Sequence, residues 1–229
     1  MSMRINKYVA LHAGISRREA DSLVADGQVA INGSIAAIGA PVQEGDSVTV
    51  RQKLLLPATF SYIALHKPAG YVCSQRRQGD APTVYELLPQ EYRHLKLVGR
   101  LDKDSSGIIL LTNDGDFAHR MTHPSFVKTK IYHVQLDAPL QPLHQQMISD
   151  FGVMLEDGKS QFLVAKLDSG ESSTPIQYEI TMHEGRNRQI RRTFAALGYQ
   201  VTALHRVVFG PYQLASLGPG QIRPLEQTE

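Results

Sequence analysis

Leu95-Lys96-Leu97-Val98-Gly99-Arg100-Leu101-Asp102-Lys103-Asp104-Ser105-Ser106-Gly107-Ile108-Ile109-Leu110-Leu111-Thr112 is the stretch from which the fold of most of the chain is read. Apolar runs at Leu95 to Leu101 and Ile108 to Thr112 flank a segment crowded with Asp, Ser and Gly, the pattern of two strands joined by a turn. Asp102 therefore stands at a strand end, where a side chain can be aimed into a cleft. On residue type alone, an Asp there is more often a turn-former or a half-exposed ion-pair partner than a catalytic group. Asp104 could share a face with Asp102 if the strand continued, as paired carboxylates do in glycoside hydrolases. The Ser-Ser-Gly that follows favours a turn beginning near Asp104 instead.

Outward from this stretch, short β-branched or aromatic runs predict further strands at Tyr62 to His66, Tyr71 to Ser74, Ile131 to Leu136, Phe162 to Leu167 and Ile176 to Met182. Helical patterns are fewer: Thr83 to Leu88, Asp116 to Thr122, Pro142 to Asp150, and Asn187 to Ala196 with a stop at Gly198. The expected fold class is α+β, built on a large mixed, mainly antiparallel sheet with flanking helices.

The first fifty residues read differently. Ile5, Tyr8 and Val9 repeat at helical spacing before Gly14, a helix stop. Ser16 and Glu19 have capping-box spacing, Ala20, Leu23 and Val24 form one apolar face, and Gly27 suits the helix exit. Val29-Ala30-Ile31 then runs into Asn32-Gly33, a tight-hairpin dipeptide, and Gly45-Asp46 leads into the strand Val48-Thr49-Val50. Periodicity is lost from Gln52 to Thr59, which contains Pro57, so a linker is placed there, with Leu54-Leu55-Leu56 able to pack. Two domains are expected, 1–58 with the linker and 59–229.

The chain has 229 residues, a hydrophobic fraction of 42% and a charged fraction of 20%, ordinary globular usage that excludes a disordered or fibrous class. With no apolar run long enough to span a membrane and no secretory leader pattern, a soluble cytoplasmic protein without membrane association is expected. Cys73 is the only cysteine, so an intrachain disulfide is impossible; it reads as a small half-buried strand residue. His119 and His123 have the i,i+4 spacing of helical metal ligands, but Pro124 ends that helix, and His183-Glu184 lacks the second histidine of a zinc-protease motif; no metal is expected.

The net charge of +2 does not announce nucleic-acid binding, so distribution must. Arg4 and Lys7 on the first helix and Arg17 and Arg18 on the second could face phosphates, although Glu19, Asp21, Asp26, Glu44 and Asp46 nearly cancel them. In Glu184-Gly185-Arg186-Asn187-Arg188-Gln189-Ile190-Arg191-Arg192 a turn enters a helix whose four arginines repel one another unless anions or carboxylates lie near. That segment is either a solvated basic helix or a phosphate site.

The order Arg4-Ile5-Asn6-Lys7-Tyr8, Ser16-Arg17-Arg18-Glu19-Ala20, Gly27-Gln28-Val29 and Ile31-Asn32-Gly33 resembles the S4 RNA-binding domain over residues 3 to 50, with Asn6 where Asp is common. Gly99-Arg100-Leu101-Asp102, the run Ser105 to Gly115, and Glu184 to Arg192 resemble the RsuA family of ribosomal RNA pseudouridine synthases. His66-Lys67-Pro68-Ala69-Gly70 and Leu204-His205-Arg206 sit where that family has related motifs. The resemblance implies isomerisation of uridine to pseudouridine in ribosomal RNA or a ribosome-assembly intermediate, without a cofactor, and a monomer is expected from a short chain with its own RNA-binding module.

It further implies that Asp102 is the essential carboxylate, as a nucleophile at the sugar C1′ or a base at its C2′. The family's basic position falls on Arg191, expected to pair with Asp102; Tyr132 supports the flipped-out base, and Leu204 matches an apolar pocket residue. Arg100 is expected to help open or hold the extruded nucleotide, and Arg186, Arg188 and Arg192 to contact phosphates. Taken alone, Tyr132 and Leu204 are also ordinary core residues. The form of Arg186 to Arg192 looks more like members acting on large-subunit RNA than on small-subunit RNA. The competing readings are a small-subunit target, a non-catalytic RNA-binding assembly factor, and a glycoside or nucleoside hydrolase that would need a second carboxylate.

Overall fold

The computed structural model describes residues 2–77, 79–167 and 177–226; Ile176, where one expected strand begins, lies outside the described residues. The chain divides into two compact units, Met1–Ser61 with Asn113–Gly115, and Tyr62–Thr112 with Asp116–Glu229. Among the described residues no helix is long and apolar enough to cross a membrane.

In the first unit, α1 (Ile5–Ala13) stops at Gly14, φ 68°, and α2 (Arg17–Ala25) starts at Ser16, whose hydroxyl accepts the Glu19 N–H at 3.1 Å. β1 (Val29–Ile31) and β2 (Ser34–Ile35) turn through Asn32 and Gly33, at φ 50° and 81°, the paired left-handed conformations of a two-residue hairpin. β3 (Val48–Val50) and β4 (Lys53–Leu54) complete an antiparallel sheet in the order β2-β1-β3-β4. Ile5, Val9, Ala20, Val24, Val29 and Val48 are buried between helices and sheet.

The segment read as a linker thus carries a strand, β4. Its turn uses Arg51 and Gln52, both at positive φ (49° and 65°), where a sequence normally signals with Gly or Asn. Of the three leucines that follow, only Leu55 packs on the core; Leu54 and Leu56 are exposed.

The second unit is organised by one sheet, nine-stranded among the described residues. Its strands are β5 (Tyr62–Lys67), β6 (Lys96–Val98), β7 (Ser106–Thr112), β8 (Lys130–Leu136), β9 (Leu163–Leu167), β10 (Gln177–Met182), β11 (Val201–Phe209), β12 (Tyr212–Gln213) and β13 (Ile222–Pro224). The main order is β9-β10-β8-β11-β7-β5-β13, with β6 beside β7 and β12 beside β11. All pairs are antiparallel except β11 with β7. That parallel junction is short, His205 with Ser106 and Arg206 with Gly107. It requires a glycine: Gly107 has φ 113°, and a Cβ there would lie 2.2 Å from the Arg206 carbonyl oxygen.

β5 occupies one edge of β7 from Gly107 to Thr112. On the other edge β6 covers Leu110 to Thr112 and β11 covers Ser106 and Gly107. The connection from β6 to β7, residues 99–105, therefore emerges where one neighbour of β7 ends and another begins. The expected strand from Leu95 to Leu101 is shortened because Gly99 turns out of it at φ 75°. Tyr71 to Ser74 is not a strand: Val72 makes an isolated parallel bridge to Thr83. Thr83 to Leu88 is a 3₁₀ turn, Val84–Leu87, whose entry is fixed by the Glu86 carboxylate accepting the Thr83 N–H at 3.0 Å. Pro142 to Asp150 divides into an α-helical turn, Pro142–Gln146, and a π turn, Met147–Phe151. The remaining α-helices are α3 (Gly115–Thr122) and α4 (Gln189–Ala196), the latter entered through Arg188 in the left-handed region, φ 46°.

Candidate active site

β5 ends in Lys67, which is fully buried although it follows Ile63, Ala64 and Leu65 into the core. Its ammonium donates to the carbonyl oxygens of Pro68 (3.0 Å), Lys103 (3.3 Å) and Ser105 (2.5 Å). Burial pulls its pKa down, and the nearby Cys73, Asp104 and Asp102 pull it back up. The Gly70 N–H also donates to the Lys103 carbonyl, at 2.7 Å, and the Leu101 N–H to the Cys73 sulfur, at 3.4 Å. Cys73 lies in a bend rather than a strand, and burial raises its thiol pKa. From the other side Arg191 donates to the Asp104 carbonyl oxygen (3.0 Å) and the Ser105 hydroxyl (3.4 Å). Together with a turn in which the Ser105 N–H donates to the Asp102 carbonyl at 3.1 Å, these bonds fix the main chain on either side of Asp102.

The Asp102 carboxylate is held much less. Its side chain is 32% exposed, and its ion-pair partner is Arg188, Nη1 to Oδ2 at 3.7 Å. This corrects the expected Arg191–Asp102 pair. Arg191 binds Asp104, Nε to Oδ2 at 3.4 Å, and caps the Val201 carbonyl at 2.9 Å. The physical reason is the turn, which swings Asp104 toward α4. Arg188 grips both Asp104 oxygens, at 3.0 and 3.2 Å, and these bonds, helped by the charge of Arg191, hold the Asp104 carboxyl below its ordinary pKa.

The carboxylates needed to relieve repulsion in the arginine-rich segment are Asp104 and Asp157. Arg192 makes a two-pronged contact with Asp157 at 3.0 and 2.7 Å. Arg186 contacts the Asp157 carboxylate and the carbonyls of Asp157, Gly158 and Lys159 at 2.8 to 3.1 Å. Hydrogen bonding from Arg192 holds the Asp157 pKa low.

Asp102 opens into a cleft of about 510 Å³. Arg100, Tyr132, Leu204, Arg186 and Arg188 line it with Asp102, whereas Arg191 and Arg192 are not among its lining residues. Arg100 is exposed; Tyr132 and Leu204 are each 8% exposed. Arg4, Lys7, Arg17 and Arg18 belong to the first unit, where Arg4 precedes α1 and Arg17 and Arg18 open α2, all three exposed. His119 and His123 are exposed, their rings stacked at 4.6 Å, and among the described residues no three His, Cys, Asp or Glu side chains form a metal-holding group.

Sequence reading gave no role to Lys67, Cys73, Lys130 or Arg206, all of which shape this cleft or its loop. A lysine closing an otherwise apolar strand was the available signal for Lys67. For Arg206 the available signal was its place two residues after Leu204, in the run Leu204-His205-Arg206. β11 has a bulge against β8, which pairs Tyr132 with Arg206 but Ile131 with Val208. Arg206 keeps the face of Leu204 and Tyr132, and the extra residue brings Phe209, in place of Val208, onto that face beside Lys130, against the alternation of the sequence.

The family described as RNA pseudouridylate synthase matches residues 61–196, a span holding the loop, Tyr132 and the arginine-rich helix, and the S4 domain matches residues 3–48. The chain belongs to the RNA pseudouridylate synthase family. It is an enzyme of the isomerase class. An uncharacterised RNA pseudouridine synthase of Aquifex aeolicus is 34% identical over 100% of this chain and 92% of its own. The ribosomal small subunit pseudouridine synthase A of Haemophilus influenzae is 36% identical, over 99% of this chain and 97% of its own. The ribosomal large subunit pseudouridine synthase B of Bacillus subtilis is 34% identical, over 99% and 93%. A crystal structure of a pseudouridylate synthase superposes with a TM-score of 0.67 at 32% identity, covering 98% of this chain and 96% of that one. The S4-plus-synthase arrangement and the α+β fold expected from the sequence are those of this family.

Proposed function

We propose that this pseudouridine synthase isomerises a uridine of ribosomal RNA, with Asp102 as its catalytic carboxylate and without a cofactor. The observation that carries the assignment is that, among the described residues, Asp102 is the only carboxylate lining the cleft. A glycoside hydrolase of the two-carboxylate type has no second group there. The isomerisation breaks the C1′–N1 bond, rotates the base, forms C1′–C5 and moves the C5 proton to N1, so no oxidant, reductant or cosubstrate enters the balance. Asp102 serves either by attacking C1′ or by taking a proton from C2′, and Arg188 lies 3.7 Å from its carboxylate. The extruded base leans on the Tyr132 ring, with Leu204 on the same sheet face excluding water.

Ribosomal RNA is the substrate class because relatives spanning nearly the whole chain are named for it. The Arg186 to Arg192 segment favours the large-subunit RNA. We further expect a monomer acting in the cytoplasm. Incubation of the purified chain with unmodified ribosomal RNAs of both subunits, followed by pseudouridine mapping, tests the assignment, with a large-subunit site as the expected result. Asp102→Asn is expected to lose activity by at least about 10³-fold. Full activity in that variant overturns the role of Asp102. Tight RNA binding with no pseudouridine on any RNA or assembly intermediate favours a binding factor instead.

A further inference from the structure

The arginines of α4 and the turn before it all face a carboxylate, and Lys67 faces three carbonyls. Apart from the exposed Arg100 and Lys103, two cations of the same cleft do not follow this pattern. Arg206 is 3% exposed; its Nε donates to the Ile108 carbonyl at 2.9 Å, but Nη2 is buried without a hydrogen-bond partner. Lys130 donates to the main-chain oxygen of Glu184 at 3.1 Å. Among the described residues neither has a carboxylate within ion-pair distance. The Glu184 carboxylate is engaged instead by the Gln189 amide and by Arg186.

The two charges are neighbours. Arg206 pairs with Tyr132, the bulge in β11 brings Phe209 opposite Lys130, and the Phe209 ring is near both cations, 4.5 Å from the Arg206 guanidinium and 6.0 Å from the Lys130 ammonium. Burial, then the charge of Arg206, depress the Lys130 pKa. The Cys73 thiol, which lines the same cleft, has its pKa raised by burial and offers Arg206 no carboxylate. The aromatic faces soften the cost of placing two positive charges here but do not neutralise them. A pyrimidine ring, being neutral, would not neutralise them either.

We propose that Lys130 and Arg206 form an anion subsite in the floor of the cleft that takes a backbone phosphate of the RNA strand flanking the extruded uridine. The proposal rests on reading the cleft as the RNA-modifying site. It gives the unpaired Nη2 an acceptor and the two charges a counter-ion, and it fixes the register of the strand rather than the identity of the base.

Binding of an unmodified ribosomal RNA transcript to the full chain, measured against salt, tests it first. Lys130→Met and Arg206→Gln are each expected to lower the magnitude of the log K against log salt slope by about 0.7 to 0.9, and Arg206→Lys to restore it. An unchanged slope in Lys130→Met, which keeps the aliphatic stem and so does not depend on Arg206→Gln folding, overturns the subsite whether or not the wild type forms pseudouridine. The second arm uses a short RNA bearing the mapped uridine, with a single neutral methylphosphonate linkage beside a 2′-O-methyl sugar, compared with the same RNA carrying an ordinary phosphate. At one linkage the wild type is expected to show a raised KM, and Lys130→Met no further rise. Losses that multiply at every linkage overturn the proposal while leaving the assigned reaction standing.

Discussion

The loop from Leu101 to Ser105 and the segment from Arg186 to Arg192 meet at Asp104, and they are immobilised in opposite ways. In the loop the main chain is fixed: carbonyls of Lys103, Asp104 and Ser105 accept bonds from Lys67, Gly70 and Arg191, and the Asp102 side chain is left with one cation at 3.7 Å. In the basic segment the side chains are fixed, Arg186 and Arg192 by Asp157, and Arg188 and Arg191 by Asp104. A carboxylate that must act on a substrate gains from a rigid base and a free head. Four arginines on one short helix and its entry have the reverse need, since their heads repel until carboxylates lock them.

The contrast is broken most severely at Lys67. Lys67→Met keeps volume in the core but removes the donor that three carbonyls share, at a cost of about 1 to 3 kcal/mol for acceptors left buried. Because displacement of a reacting group by about 1 Å can cost 10²-fold, kcat is expected to fall by at least about that factor with KM little changed. Single-turnover kinetics beside urea denaturation separates the two effects. A variant that is less stable but has wild-type kcat would show that the loop main chain does not position Asp102.

At Asp157 the expected effect is smaller and of the opposite kind. Asp157→Asn releases Arg186 and Arg192 from their shared carboxylate without touching the loop. Affinity for ribosomal RNA at low salt is expected to rise severalfold, with a steeper salt dependence, and kcat to stay within about twofold of wild type. A fall in kcat of an order of magnitude would mean that Asp157 sets the placement of α4 in the site.

These two regions also mark what was legible in the sequence. Signals that act within a few residues were read correctly: the Gly14 stop, the Ser16 cap and the Asn32-Gly33 turn each depend on the φ preference or hydrogen-bonding reach of the residue itself. The same logic missed β4, whose turn puts Arg51 and Gln52 in a conformation their side chains do not advertise, and gave Tyr71 to Ser74 a strand that only Val72 touches. The partner of Arg191 was misread because a sequence shows that cations need carboxylates but not which of Asp102 and Asp104 the turn presents. The face of Phe209 was beyond reach for a similar reason, since one bulged residue in β11 between Arg206 and Val208 inverts the alternation from which faces are inferred.

Asp104 is the joint between the two regions, and its titration is the finest test of the contrast. Its folded-state pKa lies below the ordinary 3.8, first because Arg188 hydrogen-bonds the ionised form and then because Arg191 lies near. A carboxyl whose pKa is lowered on folding adds stability that is complete above 3.8 and is lost as the pH falls through the lower folded value. With the side chain 48% exposed, solvent screening keeps the contribution small. Urea denaturation from pH 6 downward is therefore expected to show wild type and Asp104→Asn differing by a roughly constant amount down to about pH 4, then converging in more acidic solution. Because Asp104 ties Arg188 and Arg191 to the loop through its side chain, while the loop's main chain is held separately by Lys67 and Gly70, kcat in Asp104→Asn at neutral pH should fall less than in Lys67→Met. The reverse order would mean that the arginine clamp, and not the main-chain bonds, aims Asp102 into the cleft.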